Sequence, residues 1–599
     1  MRRLYTLSIV LFSLTAARAQ SLELATEYYN QGEFEKAVEL YEKLSRKKEN
    51  SRAIHENYFN ALVRLKSFDE AERYLKAEIK DFPELIVYKA DLAYLYEISD
   101  QTERAEEAYQ NLIEEASGTD AYVYQLQNFF YRTNKMNTLI EMLLRSRERS
   151  KSLDKHNIQL ARAYLYAGKK KEMLEEVFSY GISHPQSDYV QRTIQDNIKD
   201  EAEIDMLQKL LYAKIQQNPE LVYYNEILIW HFIQLGEFGR AFTQERALDR
   251  RLGLGGVKVY ELANLAYKNN QYRDAARMYQ YVLNEYPDAD YYAYARRLNI
   301  QCREEIIKNT FPLSREDIIG LIEQYESLLE DLGKTPKTMD ALRNMALLHA
   351  FYLDDHDKAI SILEDAIANA GSNFNFKDQC KLDLGDIYIL KDEPWEATLL
   401  YMQVEKSQKE DHLGEIAKLK NAKMYYYTGE FELSKEVLDI LKKATTREIA
   451  NDAMHLSLLI QDNLGLDTTE AAMRAYAGVD LLLFQNKNTE ALHQLDSLFE
   501  IYKSHSLADE ILWLRGKTHY RLDHINQALH DFNAIVENYK FDILADDSLY
   551  MLAKIYDQNL GDKNKAMELY RQILSDFPGS IYGSEARKKY RELRGDFVF

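Results

Sequence analysis

Three short stretches of the sequence carry residue types that could do chemistry. Asp354–Asp357 (DDHD) offers three carboxylates and an imidazole, all of which can bind divalent metal ions. Gly516–Thr518 (GKT) resembles the end of a phosphate-binding loop. Cys302 and Cys380 could form a disulfide bond in an oxidising compartment or remain free thiols.

For each stretch a structural explanation is favoured over a chemical one. The acidic run stands at a predicted helix–helix turn and lacks the alternating ligand spacing of calcium loops, so we predict a solvated turn. A phosphate-binding loop would need its first glycine at position 511, where Ile511 stands. Gly516 is therefore predicted to be a packing glycine within a helix. Cys302 and Cys380 are predicted to be buried thiols on separate helices, with the disulfide as the open alternative.

The sequence contains none of the common catalytic motifs. No HExxH zinc-protease motif, CxxC pair or GxSxG nucleophile elbow occurs. The 13 histidines are scattered singly, without an i, i+4 pair backed by a carboxylate ligand. We therefore predict a non-enzymatic protein with no cofactor, no metal site and no catalytic residue. Paired carboxylates of the kind used in hydrolysis are recognisable only in space, so a hidden active site stays open as an alternative.

Small or apolar residues recur every 34 residues through the first half of the chain. Counting back from Ala275 gives Ala241, Leu207, Met173, Leu139, Ala105, Ala71 and Ala37. Each unit has the pattern of two short amphipathic helices, most clearly in residues 256–289. Because such a hairpin can bury its apolar face only against its neighbours, the repeat predicts an all-α stack of helical hairpins.

Prolines support the same division of the chain. Four of the eight occupy one position of the 34-residue repeat, where they end the second helix: Pro83, Pro185, Pro219 and Pro287. The spacing predicts eight regular units in residues 20–289 and an irregular helical insertion in 290–339. Looser repeats are predicted in 340–580, followed by a polar C-terminal capping helix in 581–599.

This pattern resembles the tetratricopeptide repeat family. The small, apolar and aromatic positions of that family are held in one unit by Leu262, Ala263, Ala275, Tyr279 and Pro287, and in another by Leu92, Ala93, Ala105 and Tyr109. The resemblance implies a right-handed α-solenoid. It also implies a groove, lined by the first helix of each hairpin, that binds peptides or protein surfaces.

Six residues are the candidates for binding in that groove: Asn60, Tyr124, Asn128, Trp230, Tyr260 and Asn264. Aromatic side chains of this kind often anchor interfaces, and packing between helices is an equally open explanation for each. One subgroup of the family holds a C-terminal carboxylate with a lysine four residues before an asparagine. Here those preceding positions are Glu56, Tyr124 and Tyr260, so the resemblance does not extend to that carboxylate clamp.

The net charge indicates which kinds of partner the chain can bind, and the N-terminal residues indicate where the protein is located. A net charge of -21 argues against binding to nucleic acid, since such proteins concentrate Lys and Arg on one face. Three features predict a signal peptide in residues 1–19: the basic pair Arg2 and Arg3, the short apolar run Leu4–Leu14 and the small-residue site Ala17–Ala19. That run is too short to span a membrane, which takes ~20 residues. We expect an exported, soluble periplasmic protein without a lipid anchor, because no cysteine follows the cleavage site.

The function predicted from the sequence is a protein-interaction scaffold in the bacterial periplasm or cell envelope, in envelope assembly or secretion. The chain is similar to exported, Bacteroidetes-like repeat proteins, and Phe577–Ser580 resembles repeats of envelope assembly factors. Its partners would be proteins or peptides within an envelope complex. The alternative is a glycan-binding, outer-membrane-associated protein with similar repeats, although only three Trp are present to stack on sugars.

Overall fold

The computed structural model describes residues 21–309, 314–409, 411–443, 446–464 and 470–594. Within these ranges the secondary structure consists of α-helices and one short 3-10 helix, Lys48–Asn50, and contains no β-strand. This confirms the predicted all-α helical repeat fold. The predicted signal peptide lies outside the described residues. Contacts divide the chain into two compact units, the first ending at Tyr224 and the second beginning at Asn225.

The first unit consists of helices joined by short connections. They are α1 (21–30), α2 (Phe34–Ser45), α3 (Ser51–Arg64), α4 (Phe68–Asp81), α5 (Val87–Ile98), α6 (Thr102–Ala116), α7 (Asp120–Arg132), α8 (Met136–Ser150), α9 (Asn157–Tyr166), α10 (Lys170–Ser183), α11 (Tyr189–Asn197) and α12 (Glu201–Gln217).

The next helix, α13 (Tyr223–Gln234), contains the division between the units. Helices of the second unit are then α14 (Phe238–Leu252), α15 (Val257–Lys268), α16 (Tyr272–Glu285), α17 (Tyr292–Lys308), α18 (Arg315–Leu332), α19 (Asp340–Tyr352), α20 (His356–Asn369), α21 (Phe374–Leu390), α22 (Pro394–Ser407), α23 (His412–Tyr427), α24 (Phe431–Leu441), α25 (Arg447–Leu464), α26 (Ala471–Phe484), α27 (Asn488–Tyr502), α28 (Ala508–Arg521), α29 (Ile525–Asn538), α30 (Ala545–Gln558), α31 (Lys563–Asp576) and α32 (Gly583–Arg594).

In most hairpins, one residue of the tight turn has the left-handed backbone conformation, with a positive φ. In the first half of the chain these residues recur at intervals of 34 or twice that: Gly32, Lys66, Asp100, Asn134, Gly168, Gly236 and Asn270. At Lys66, the amide of the next residue, Ser67, donates to Leu62 O (2.9 Å) and that of Lys66 to Val63 O (3.0 Å). This pair of bonds satisfies helix-terminal carbonyls and requires a positive φ, which explains why Gly, Asn and Asp dominate the position.

Prolines end second helices at a fixed distance. Pro83, Pro185, Pro219 and Pro287 each stand two residues after the last residue of α4, α10, α12 and α16. Proline has no amide hydrogen and disfavours a helical residue before it, so the helix ends ahead of it.

Small residues in the second helices allow the two helices of a hairpin to pack closely. The five alanines on the repeat are between 0% and 4% exposed: Ala37, Ala71, Ala105, Ala241 and Ala275. A tyrosine four residues after some of them donates a hydrogen bond back to the first helix, fifteen residues earlier. These bonds run from Tyr41 to Thr26 (3.3 Å) and from Tyr279 to Asn264 (2.6 Å). The ring is buried while its hydroxyl keeps a polar partner.

Helix α25 interrupts the regular alternation of hairpins in the second unit. It packs against α23, α24 and α26, and α26 also packs directly against α23. Helix α26, the first helix of the next hairpin, is thereby brought to the surface formed by the first helices α21 and α23. None of the described helices has both the length and the apolar character needed to cross a membrane.

Candidate interaction grooves

In the first unit a charged network joins the first helices of three consecutive hairpins, α3, α5 and α7. His55 Nε2 lies 2.7 Å from Asp91 Oδ2. Arg132 Nη1 lies 2.8 Å from Glu56 Oε1, and its Nη2 lies 3.6 Å from Asp91 Oδ1. Because Arg132 on α7 contacts residues of both other helices, α3 and α7 approach each other across α5.

Three of the predicted groove residues lie beside this network. Asn60 is half-buried one turn after Glu56 on α3, and Asn128 is exposed one turn before Arg132 on α7. Tyr124, a further turn back, is 59% exposed. The structure thus brings these three to one polar surface. Glu56 stands where a carboxylate clamp would need lysine, and it is already paired with a cation.

The other predicted groove residues lie in the second unit. Asn264 accepts the hydrogen bond from Tyr279 within its own hairpin. The Tyr260 ring stacks on Tyr291, with 4.8 Å between centroids. Trp230 is half-buried on α13. Tyr260 and Asn264 therefore contribute to packing around α15 and α16, and binding by these six residues stays a prediction.

A cavity that the sequence did not indicate lies among α21, α23, α25 and α26. Its volume is about 270 Å³. The apolar part of its lining comes from Ile389, Ile416, Leu419, Tyr427, Ile449 and Phe484. We name it the first cavity.

Charged side chains surround this apolar lining. Lys420 Nζ lies 2.7 Å from both carboxylate oxygens of Asp386, and Tyr401 donates to Asp386 Oδ1 at 2.6 Å. Glu448 and Asp452 on α25 are exposed and line the same cavity. An apolar interior with a few placed polar groups is the usual composition of a binding pocket.

Phe484, at the end of α26, reaches across this surface to helices far away in sequence. Its ring centroid lies 6.3 Å from those of both Phe351 and Tyr427. The side-chain amides of the next two residues donate hydrogen bonds to backbone carbonyls. Gln485 Nε2 donates to Ile389 O (2.9 Å), and Asn486 Nδ2 donates to Phe351 O (3.2 Å). These bonds attach the residues after α26 to carbonyl groups in the last turns of α21 and α19, and they hold Phe484 in place beside the first cavity.

A second cavity, of about 430 Å³, lies beside the same two rings. Tyr427 and Phe484 line both cavities. The remaining lining comes from Asp480, Leu483, Leu514, Lys517, Thr518, Tyr520, Arg521 and Met551. The two cavities are therefore adjacent and share these two aromatic side chains.

The residues first considered for chemistry have structural roles. Cys302 and Cys380 are both buried and unpaired, and burial raises the pKa of each thiol to about 12. This excludes the disulfide alternative in this structure. A Cβ on Gly516 would lie 2.8 Å from Phe532 Cε1, so Gly516 is a packing glycine.

In the acidic run Asp354–Asp357, each carboxylate contacts a different partner. Asp355 accepts from the Lys358 amide at the start of α20, and Asp357 pairs with Lys391 at 3.0 Å. Asp354 lies 3.3 Å from His356 Nε2. No cluster of three or more metal-ligating side chains occurs in the part of the chain that the structure describes.

Comparisons with known proteins identify the repeats. Tetratricopeptide repeat models match residues 22–86, 259–289 and 547–580. These three segments are similar to tetratricopeptide repeats. These segments include the unit in residues 256–289, which the spacing marks as the clearest, and the hairpin formed by α30 and α31. No curated protein matches the chain in sequence.

Several solved structures resemble the chain in fold. Naa15/Naa10 bound to HypK-THB is 14% identical, with 96% of this chain and 91% of that chain covered and a TM-score of 0.29. A tetratricopeptide repeat protein from Parabacteroides merdae ATCC 43184 is 13% identical, with 50% and 99% covered and a TM-score of 0.26. Yeast Tom70 is 13% identical, with 92% and 96% covered and a TM-score of 0.27.

One part of the first cavity, the face formed by α23, has a recognisable pattern in the sequence. Ile416, Lys420, Lys423 and Tyr427 follow one another at intervals of four, three and four residues, and Leu419 stands three residues after Ile416, which places all five on one face of α23. A mixed face of apolar, aromatic and basic residues on a first helix is a reasonable groove candidate. The contribution of Phe484 has no such signal, because it depends on contacts with distant repeats.

Proposed function

We propose that the chain is a non-catalytic protein-interaction scaffold, and that the surface carrying the first cavity binds a partner peptide. The observation that supports this most directly is the apolar cavity on the first helices of the second unit. At about 270 Å³ it lies just below the ~300–1,000 Å³ of small-molecule pockets. One large apolar side chain of a peptide is a better match to that volume than a whole cofactor.

The surroundings of the cavity favour binding over catalysis. Lys420 and Asp386 neutralise each other at the rim, and Tyr401 is held by the same carboxylate. An ion pair at the rim of an apolar pocket orients a partner and sets specificity rather than supplying most of the affinity. Phe484 is fixed by its neighbours, so the pocket is formed before the partner arrives, which lowers the entropic cost of binding.

The location of this binding is also proposed here. The signal peptide predicted in residues 1–19 supports export to a bacterial periplasm, where the chain would take part in assembly or secretion at the cell envelope. Sequencing the N-terminus of the exported protein tests this. A start near Gln20 is expected, and a retained N-terminal segment would contradict it.

Selection from a library of random peptides displayed on phage tests the binding proposal directly. The immobilised full chain is expected to enrich peptides that share one large apolar residue, with dissociation constants in the range of about 1–100 μM. The anchor should dominate the affinity, so replacing it with alanine in a synthetic peptide should weaken binding about tenfold or more. Failure to enrich any peptide over the bare support would contradict the proposal.

A further inference from the structure

Two cations that line the second cavity have no acidic side chain within ion-pair distance among the described residues. Lys517 and Arg521 are one turn apart on α28, and both are exposed. Arg521 donates to the side-chain oxygen of Asn488, and Lys517 Nζ lies 5.4 Å from the centroid of the Trp513 ring. Neither forms an ion pair within 4.0 Å among the described residues. Their charge is therefore available to a ligand.

Asp480 is the acidic residue in the lining of this cavity. It is half-buried on α26, and burial raises the pKa of its carboxyl group. Lys423, Lys517 and His455 oppose that rise by stabilising the ionised form. Even with Asp480 ionised, the two cations of α28 leave a positive balance in the cavity.

This positive balance stands out in a chain with a net charge of -21. The overall charge repels a polyanion such as nucleic acid, whereas one or two carboxylates need only the local field of Lys517 and Arg521. Arginine can also bind a carboxylate through two parallel hydrogen bonds. Tyr427 and Phe484 line both this basic cavity and the apolar one, so the two cavities are neighbours.

We propose that the second cavity binds an acidic side chain of the same peptide whose apolar side chain occupies the first cavity. The partner is then an acidic peptide segment that carries an apolar anchor near a glutamate or aspartate. This inference rests on the proposed function and adds the chemical class of the partner to it.

The phage selection tests the inference with charge-reversed protein. Peptides recovered with the unmodified chain should be enriched in Asp and Glu beside the apolar anchor. The double variant Lys517→Glu and Arg521→Glu should bind those peptides about tenfold more weakly or worse, and should itself enrich Lys and Arg. Because both side chains are exposed, the helical circular dichroism spectrum should not change; the neutral pair Lys517→Gln and Arg521→Gln provides a second variant.

A matched control separates local charge from total charge. Lys443 and Lys563 are exposed and line neither cavity, so Lys443→Glu with Lys563→Glu changes the net charge equally and should leave affinity within about twofold. Anchored peptides without acidic enrichment, or equal weakening by both double variants, would overturn the inference and leave the proposed function intact. If no peptide is enriched, the proposed function and the inference fail together.

Discussion

Replacing Gly385 with alanine is expected to destabilise the hairpin of α21 and α22 by about 2 kcal/mol or more. A Cβ at this position would lie 2.4 Å from Tyr401 Cε1, and Tyr401 is 0% exposed. The ring can move only by disturbing its hydrogen bond to Asp386 and its packing. Both effects lower the stability of the hairpin that forms part of the first cavity.

Gly478 offers a matched control within the same unit. It lies inside α26, and a Cβ there would meet nothing within 4 Å. Gly478→Ala should therefore stabilise its helix by roughly 0.5–1 kcal/mol, because alanine restricts the unfolded chain and favours helix. Long repeat proteins do not unfold in one step, so amide hydrogen exchange in each helix is the appropriate measurement. Effects of the same sign at both glycines would contradict the packing argument.

The stability of the region around α28 is expected to fall as the pH rises from about 5 to 8. Burial, followed by the neighbouring Asp509, raises the pKa of Glu510 from 4.5 to about 9. Asn463 Nδ2 donates to Glu510 Oε1 at 3.3 Å, while the other oxygen is buried with no hydrogen-bond partner among the described residues. The folded state thus favours the protonated acid.

The sign of the effect follows from the raised pKa. The stabilising contribution is complete below pH 4.5, where folded and unfolded chains are both protonated, and is lost as the pH approaches about 9. One pKa unit corresponds to about 1.4 kcal/mol and the three pH units from 5 to 8 lie between the two pKa values, so we expect a loss of about 4 kcal/mol over this range. Hydrogen exchange of α28 amides, corrected for the intrinsic pH dependence of exchange, measures it.

Two glutamine variants test whether the Glu510 carboxyl group, rather than a general change in charge, causes the pH dependence of stability. Glu510→Gln should abolish most of the slope and make the protein more stable than the unmodified chain at pH 8. Glu500 is exposed on α27, and Glu500→Gln should leave the slope unchanged. An equal slope in the unmodified chain and in Glu510→Gln would show that another group controls the pH dependence.

Much of the fold could be predicted because each hairpin is determined by residues within its own repeat. A small residue such as Ala275 is needed where two helices touch, and Pro287 is tolerated only where a helix ends. The turn residues carry an equally local signal, since Asn270 and Gly168 occupy left-handed conformations that most residues avoid. Regular spacing of such residues determines hairpins without any knowledge of distant contacts.

The candidate site depends on contacts that spacing does not reveal. Phe484 lines both cavities because α25 interrupts the alternation of hairpins and α26 packs directly on α23. Gln485 and Asn486 then bind carbonyls that lie 96 and 135 residues away. Family resemblance led to the prediction of a groove near Asn60 and Asn128, which stays a prediction, whereas a pocket formed by non-neighbouring repeats required the structure.

The most direct test of binding at the first cavity is the affinity of one selected peptide for two tryptophan variants of α25. Asp452 is exposed and lines the first cavity, whereas Asp462 is exposed on the same helix and lines neither cavity. An indole at position 452 should fill the mouth of the cavity, so Asp452→Trp is predicted to weaken binding about tenfold or more. Asp462→Trp should leave the dissociation constant within about twofold of the unmodified chain. Equal affinity of both variants and the unmodified chain would show that peptides bind elsewhere and would contradict the proposed function of this surface.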